Sequence, residues 1–96
     1  MRLNQLLQEK RQEILKIAAK HGAYNVRIFG SVARGEADEH SDVDFLIDAG
    51  PKRTPFFPGG LVMDLQRILG RRVDVVTENG LRSRIKGKVL KEAVPL

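Results

Sequence analysis

Three aspartates and one Gly-Ser turn supply the chemistry available to this chain. Asp42 and Asp44 stand two apart at the start of an alternating segment, Val43-Asp44-Phe45-Leu46-Ile47-Asp48, that reads as a strand. Side chains two apart on a strand leave from one face, so both carboxylates point the same way while Val43, Phe45 and Ile47 point the other. Carboxylates forced together repel each other, and burying them unpaired is costly, so such a pair usually holds a hard cation. Oxygen donors of this kind suit magnesium or manganese. Ten residues separate Asp42 from Gly30-Ser31, where a small polar turn offers backbone N–H groups and a hydroxyl that a phosphate can approach closely. Arg34, three residues past Ser31, can reach the same phosphate.

The elements that must hold these residues follow from periodicity. Leu3, Leu6, Leu7, Ile14, Ile17 and Ala18 recur at helical spacing from Leu3 to His21, with Gly22 as the stop. His21 reads as a last-turn residue favoured by the peptide dipoles. Tyr24 to Phe29 alternates as a first strand, and Ser31 to Arg34 reads as a short helical turn ended by Gly35. The polar run Glu36 to Ser41, with His40, is a solvated loop leading down to the second strand. Asp48 shares the face of Asp42 and Asp44 but lies toward the far end of its strand, and stays outside the site. Ala49 to Gly60, punctuated by Pro51, Pro55, Pro58 and several glycines, reads as a loop in which Phe56 and Phe57 are core plugs or, alternatively, an exposed anchor for a partner. Leu61, Leu65, Ile68 and Leu69 mark a helix stopped by Gly70. The strand Arg71 to Thr77 follows. Within it Asp74 is a lone charge, there either to pair with Arg71 or Arg72 or to join Asp42 and Asp44. Leu81, Ile85, Val89 and Ala93 trace a last helix whose other face carries Arg82, Arg84, Lys86, Lys88 and Lys91.

The string from Gly30-Ser31 to Asp42-Val43-Asp44 resembles the nucleotidyltransferase superfamily that includes DNA polymerase β, and within it the minimal nucleotidyltransferases, antitoxin partners of HEPN-domain toxins. Leu69 to Val76 resembles the strand that bears that family's third aspartate, and Glu92-Ala93-Val94-Pro95-Leu96 its usual ending. The resemblance implies one nucleotidyltransferase domain over residues 1–96, of α/β (α+β) class, a small mixed sheet of three to four strands with helices packed on it in the manner of a palm. It implies that Asp42, Asp44 and Asp74 are catalytic and hold two magnesium ions, with manganese a substitute, and that Gly30, Ser31 and Arg34 bind the triphosphate of ATP. The implied product is a nucleoside monophosphate on a hydroxyl, a tyrosine of the cognate HEPN toxin in that family.

Composition sets bounds on these readings. With 96 residues and no Cys, the chain has room for one core and offers no disulfide, thiolate metal site or Cys nucleophile, which fits a cytoplasmic protein. No apolar run approaches a membrane span. Lys and Arg number 17 against 12 Asp and Glu, so once three acids are set aside for a metal the remaining surface is more basic than the net +5. Nucleotide, nucleic acid or an acidic protein partner would satisfy that charge. Three functions are therefore compared: a nucleotidyltransferase, an antitoxin that neutralises by binding alone, and a nucleic-acid module on the last helix. The last is disfavoured because the basic helix carries no stacking aromatics.

Overall fold

The computed structural model describes residues 3–38 and 40–96, so Glu39 of the polar loop lies outside the described residues. The elements run α1 (Leu3–Glu9), α2 (Arg11–Lys20), β1 (Ala23–Phe29), α3 (Gly30–Ala33), β2 (Val43–Ala49), α4 (Gly59–Leu69), β3 (Val73–Thr77), α5 (Ser83–Glu92) and β4 (Val94–Pro95). Where the sequence predicts one N-terminal helix, there are two. The apolar stripe lapses between Leu7 and Ile14, and Lys10, in that gap, leaves helical geometry.

The strands form a mixed sheet in the order β3-β2-β1-β4. β1 runs antiparallel to β2 and to β4, while β2 and β3 are parallel. Parallel neighbours need a crossover, and α4 supplies it. That helix ends where the sequence predicts, with Gly70 in the left-handed conformation at φ 65° and its N–H on the Gln66 carbonyl. β4 is an addition: the ending Glu92 to Leu96 finishes a helix and then adds a short edge strand beside β1.

One face of the sheet packs on the helices. Val43, Phe45 and Ile47 of β2 are fully buried there with Ile14 and Ala18 of α2 and Leu61, Leu65 and Leu69 of α4. Burying one such large apolar side chain is worth about 1.5–3 kcal/mol, so this face fixes the orientation of β2. The aspartates are thereby turned to the opposite face. Phe57 packs partly against the core, with the Arg53 guanidinium over its ring, but Phe56 is 93% exposed, which corrects its reading as a core plug.

His21 stands at the helix end, as expected, and does more than meet the peptide dipoles. It is buried at the C-terminal end of α2, where Nδ1 meets Thr54 Oγ1 at 2.6 Å and Nε2 meets Asp64 Oδ2 at 2.7 Å. The imidazole thus pins the loop after β2 and the first half of α4 to α2. It also holds the Asp64 carboxyl below its ordinary range by hydrogen bonding. Among the described residues no helix is long and apolar enough to cross a membrane.

Candidate active site

Strand register gathers the aspartates. Asp44 sits between Phe29 of β1 and Asp74 of β3, each directly opposite it in its ladder. Asp42 lies one residue before β2 rather than inside it, exposed at the mouth of the same face. None of the three is ion-paired to another described residue. The pairing of Asp74 with Arg71 or Arg72 is therefore not formed. Arg71 instead donates from Nη1 to the Asp38 and Ser41 carbonyls at 3.0 and 3.2 Å, fastening the loop that delivers Asp42.

Electrostatics on this face are those of crowded acids. Burial pushes the Asp44 carboxyl above its ordinary value, and Asp74, Asp42 and Glu92 push it further, against a smaller pull from Arg34. Among the described residues no three acids or histidines make a closed ligand set for a metal. A magnesium ion, however, binds to one or two carboxylates and takes its other ligands from substrate phosphates and water. The donors present fit such an ion, because Asp44 carries negative charge that the chain itself does not neutralise.

Beside Asp44 the backbone turns at Gly30, where φ is 76°. A Cβ there would collide with Asp44 Oδ2, so the aspartate and the turn touch only because residue 30 is glycine. Ser31 follows, partly exposed. Arg34 is half-exposed and donates to Glu36 Oε1 from Nε and to Glu92 Oε1 from Nη1, both at 2.7 Å. These residues line an open cleft of about 490 Å³ with Phe29, Ser41, Asp42 and Asp44 on one wall and Ile85, Lys88, Val89 and Glu92 of α5 on the other. The last helix is thus a wall of the cleft through Ile85 and Val89 of its apolar stripe, joined by Lys88, which the sequence places on the other face.

Glu92 is the site residue that the sequence reading missed. It stands seven residues after Ile85 and three after Val89, on the same face of α5, and that helical spacing was its one signal. Asp48, left outside the site by the sequence, is engaged by other partners. It accepts from Asn25 and from Arg27 Nη2, each at 3.0 Å, while Arg27 Nη1 reaches across β2 to Glu78 at 3.0 Å. Leu46, the residue opposite Arg27 in the ladder, is fully buried on the same face. Replacing Arg27 by Ala should cost about 2–3 kcal/mol in urea unfolding, because it strips two carboxylates of a shielded partner.

A mixed sheet that carries a glycine turn and facing aspartates on its open side is the frame of a nucleotidyl-transferring protein. The chain belongs to the nucleotidyltransferase domain family, whose model matches residues 11–96, and it is accordingly a transferase enzyme. Curated relatives include "Putative protein adenylyltransferase MJ0435" of Methanocaldococcus jannaschii, 38% identical over 88 residues that make up 92% of this chain and 95% of that one. "Protein adenylyltransferase MntA" of Thermococcus cleftensis is 40% identical over 81 residues, 82% of this chain and 80% of that protein. Among solved structures, one described as "Structure of putative minimal nucleotidyltransferase" superimposes with a TM-score of 0.86 at 47% identity over all of this chain and 97% of that chain. "Crystal structure of the toxin-antitoxin with AMP-PNP" shares the fold at a TM-score of 0.74 and 20% identity, over 88% of this chain and 69% of that chain.

Proposed function

We propose that the protein transfers the AMP moiety of ATP to a tyrosine hydroxyl of a HEPN-type toxin in the cytoplasm, and so acts as the antitoxin. The observation that carries this reading is the register of β1, β2 and β3, with Asp44 facing Asp74 and Gly30 against Asp44. Relatives named as protein adenylyltransferases support the acceptor class, and a fold neighbour described as a toxin-antitoxin with AMP-PNP supports the partner and the nucleotide.

In the proposed reaction the acceptor oxygen attacks the α-phosphorus in line, the bond to the bridging oxygen of the β-phosphate breaks, and pyrophosphate leaves. The Gly30 N–H, Ser31 and Arg34 hold the phosphate tail. Asp42 and Asp44 would supply the oxygen donors that hold magnesium, Asp74 would complete that set, and Asp74 takes the acceptor proton. Divalent cations, when bound, neutralise the charge that builds on the attacking and leaving oxygens. The chain's own contribution is positioning and fixed charge.

The test is intact mass spectrometry of the product of the neighbouring gene after incubation with purified protein, magnesium and labelled ATP. A toxin carrying an added nucleoside monophosphate at a tyrosine is the expected product. An unmodified toxin with no pyrophosphate released would refute the proposal. Asp74→Asn should separate chemistry from binding: transfer falls by about 10²–10³-fold, while calorimetry finds nucleotide affinity within a few-fold of wild type. Equal loss of affinity in the Asp74 and Asp42 variants would contradict that division of roles.

A further inference from the structure

Two of the three groups assigned to the phosphate tail, the Gly30 N–H and Arg34, are already engaged by an anion of the chain itself. Gly30 N–H donates to Glu92 Oε2 at 2.7 Å, and Arg34 Nη1 donates to Glu92 Oε1 at 2.7 Å. The Glu92 side chain is only 14% exposed, so this is no loose surface pairing. It bridges the last residue of α5 to the turn after β1 across 62 positions of sequence. A carboxylate and a phosphate recognise the same donors, a backbone N–H and a guanidinium, through short charge-assisted hydrogen bonds. Both cannot hold these two donors at once.

We propose that Glu92 is a resident competitor for the phosphate turn, and that a nucleoside triphosphate gains Gly30 and Arg34 only by displacing its carboxylate. This rests on the assignment of Gly30 and Arg34 to the phosphate tail under the proposed function. Two features of the cleft favour displacement over permanent closure. Glu92 adds a fourth negative charge to a face where Asp42, Asp44 and Asp74 are already crowded, so its departure relieves repulsion on Asp44. Lys88, on the same wall one turn earlier, offers the released carboxylate a cation, and it already draws Glu92 toward the charged form. Glu92 thereby sets affinity without touching the reacting atoms, and it keeps the turn shaped in the absence of nucleotide.

The consequence is quantitative. If the carboxylate holds the donors about nine-tenths of the time, apparent affinity for the phosphate tail is reduced about tenfold, and removing the competitor restores it. Calorimetric titration of wild type, Glu92→Gln and Glu92→Ala with inorganic tripolyphosphate should show about tenfold tighter binding in both variants. Unchanged or weaker tripolyphosphate binding in folded variants would overturn the proposal.

A measurement on the wild-type protein guards against variants that fail to fold. As tripolyphosphate is added, the Glu92 side-chain carboxyl carbon and the Gly30 amide should shift together in NMR spectra. Movement of Gly30 with Glu92 unchanged would also overturn the idea. Tripolyphosphate gains in the Glu92 variants, alongside absent AMP transfer in every protein, would uphold the competitor and reject the enzymatic reading. The two failures are therefore separable.

Discussion

Replacing both Asp42 and Asp44 by Asn is expected to abolish nucleotide transfer, by at least about 10³-fold, while leaving a folded protein. The expectation comes from where the two side chains sit. Neither is tied to a described cation of the chain, and the β2 residues that hold the core, Val43, Phe45 and Ile47, point the other way. Stability in metal-free buffer should even rise for Asp44→Asn. A carboxyl whose folded-state pKa is raised contributes stability that is present below the unfolded value and lost as pH climbs through the folded one. The wild-type melting temperature in chelator should therefore fall as pH increases across the upper carboxylate range, and the Asn variant should flatten that slope. A large loss of stability in both single variants would assign the aspartates to the scaffold. The double variant also decides between catalysis and masking. If transfer neutralises the toxin, the folded variant leaves a co-expressed toxin active although it still binds it. If masking neutralises, the variant protects cells as well as wild type, and loss of the exposed Phe56 or charge reversal on Arg82, Arg84, Lys88 and Lys91 abolishes protection. The carboxylates crowding one face favour the first result.

How much of this was legible in the chain depends on how local each signal is. Alternation around Asp44 and the lone charge at Asp74 gave both strands and the correct faces, because side-chain direction on a strand is a period of two and nothing else. Gly70 marked its helix end because a left-handed residue is needed there. What was missed depends on pairing between distant positions. β4 is two residues long, too short for any periodicity, and exists only because Arg27 and Ile28 pair with Pro95 and Val94. Glu92 looked like part of an ending, since nothing near it in sequence reveals Gly30 and Arg34 as its partners. Arg71 lies three residues from Asp74, and proximity in sequence made a salt bridge the natural alternative. In the fold, the arginine satisfies carbonyls of the preceding loop instead. Phe56 and Phe57 are adjacent and of one type, yet one is buried in part and the other exposed, which composition alone does not distinguish.

Gly30→Val should be the most damaging single change at the turn proposed to hold the phosphates, through two effects that can be measured apart. At φ 76° a β-branched side chain is strained whatever space surrounds it, and here the first added carbon also collides with the Asp44 carboxylate. Strain of this kind costs about 1–3 kcal/mol, and the collision adds to it, so the urea midpoint should drop clearly. Gly30→Ala shares the strain and the first contact but lacks the branch, and should lie between Val and wild type. Ser31→Ala removes only a hydroxyl and should leave the midpoint nearly unchanged. Nucleotide affinity should follow a different logic. The Gly30 N–H survives every substitution, but Asp44 is pushed aside in proportion to the bulk at position 30, so affinity and magnesium dependence should decline together from Gly to Ala to Val. Measured on proteins shown to be folded by circular dichroism, that joint decline ties the phosphate turn to the aspartate beside it. Normal triphosphate affinity in a folded Gly30→Val protein would place the phosphate tail elsewhere in the cleft.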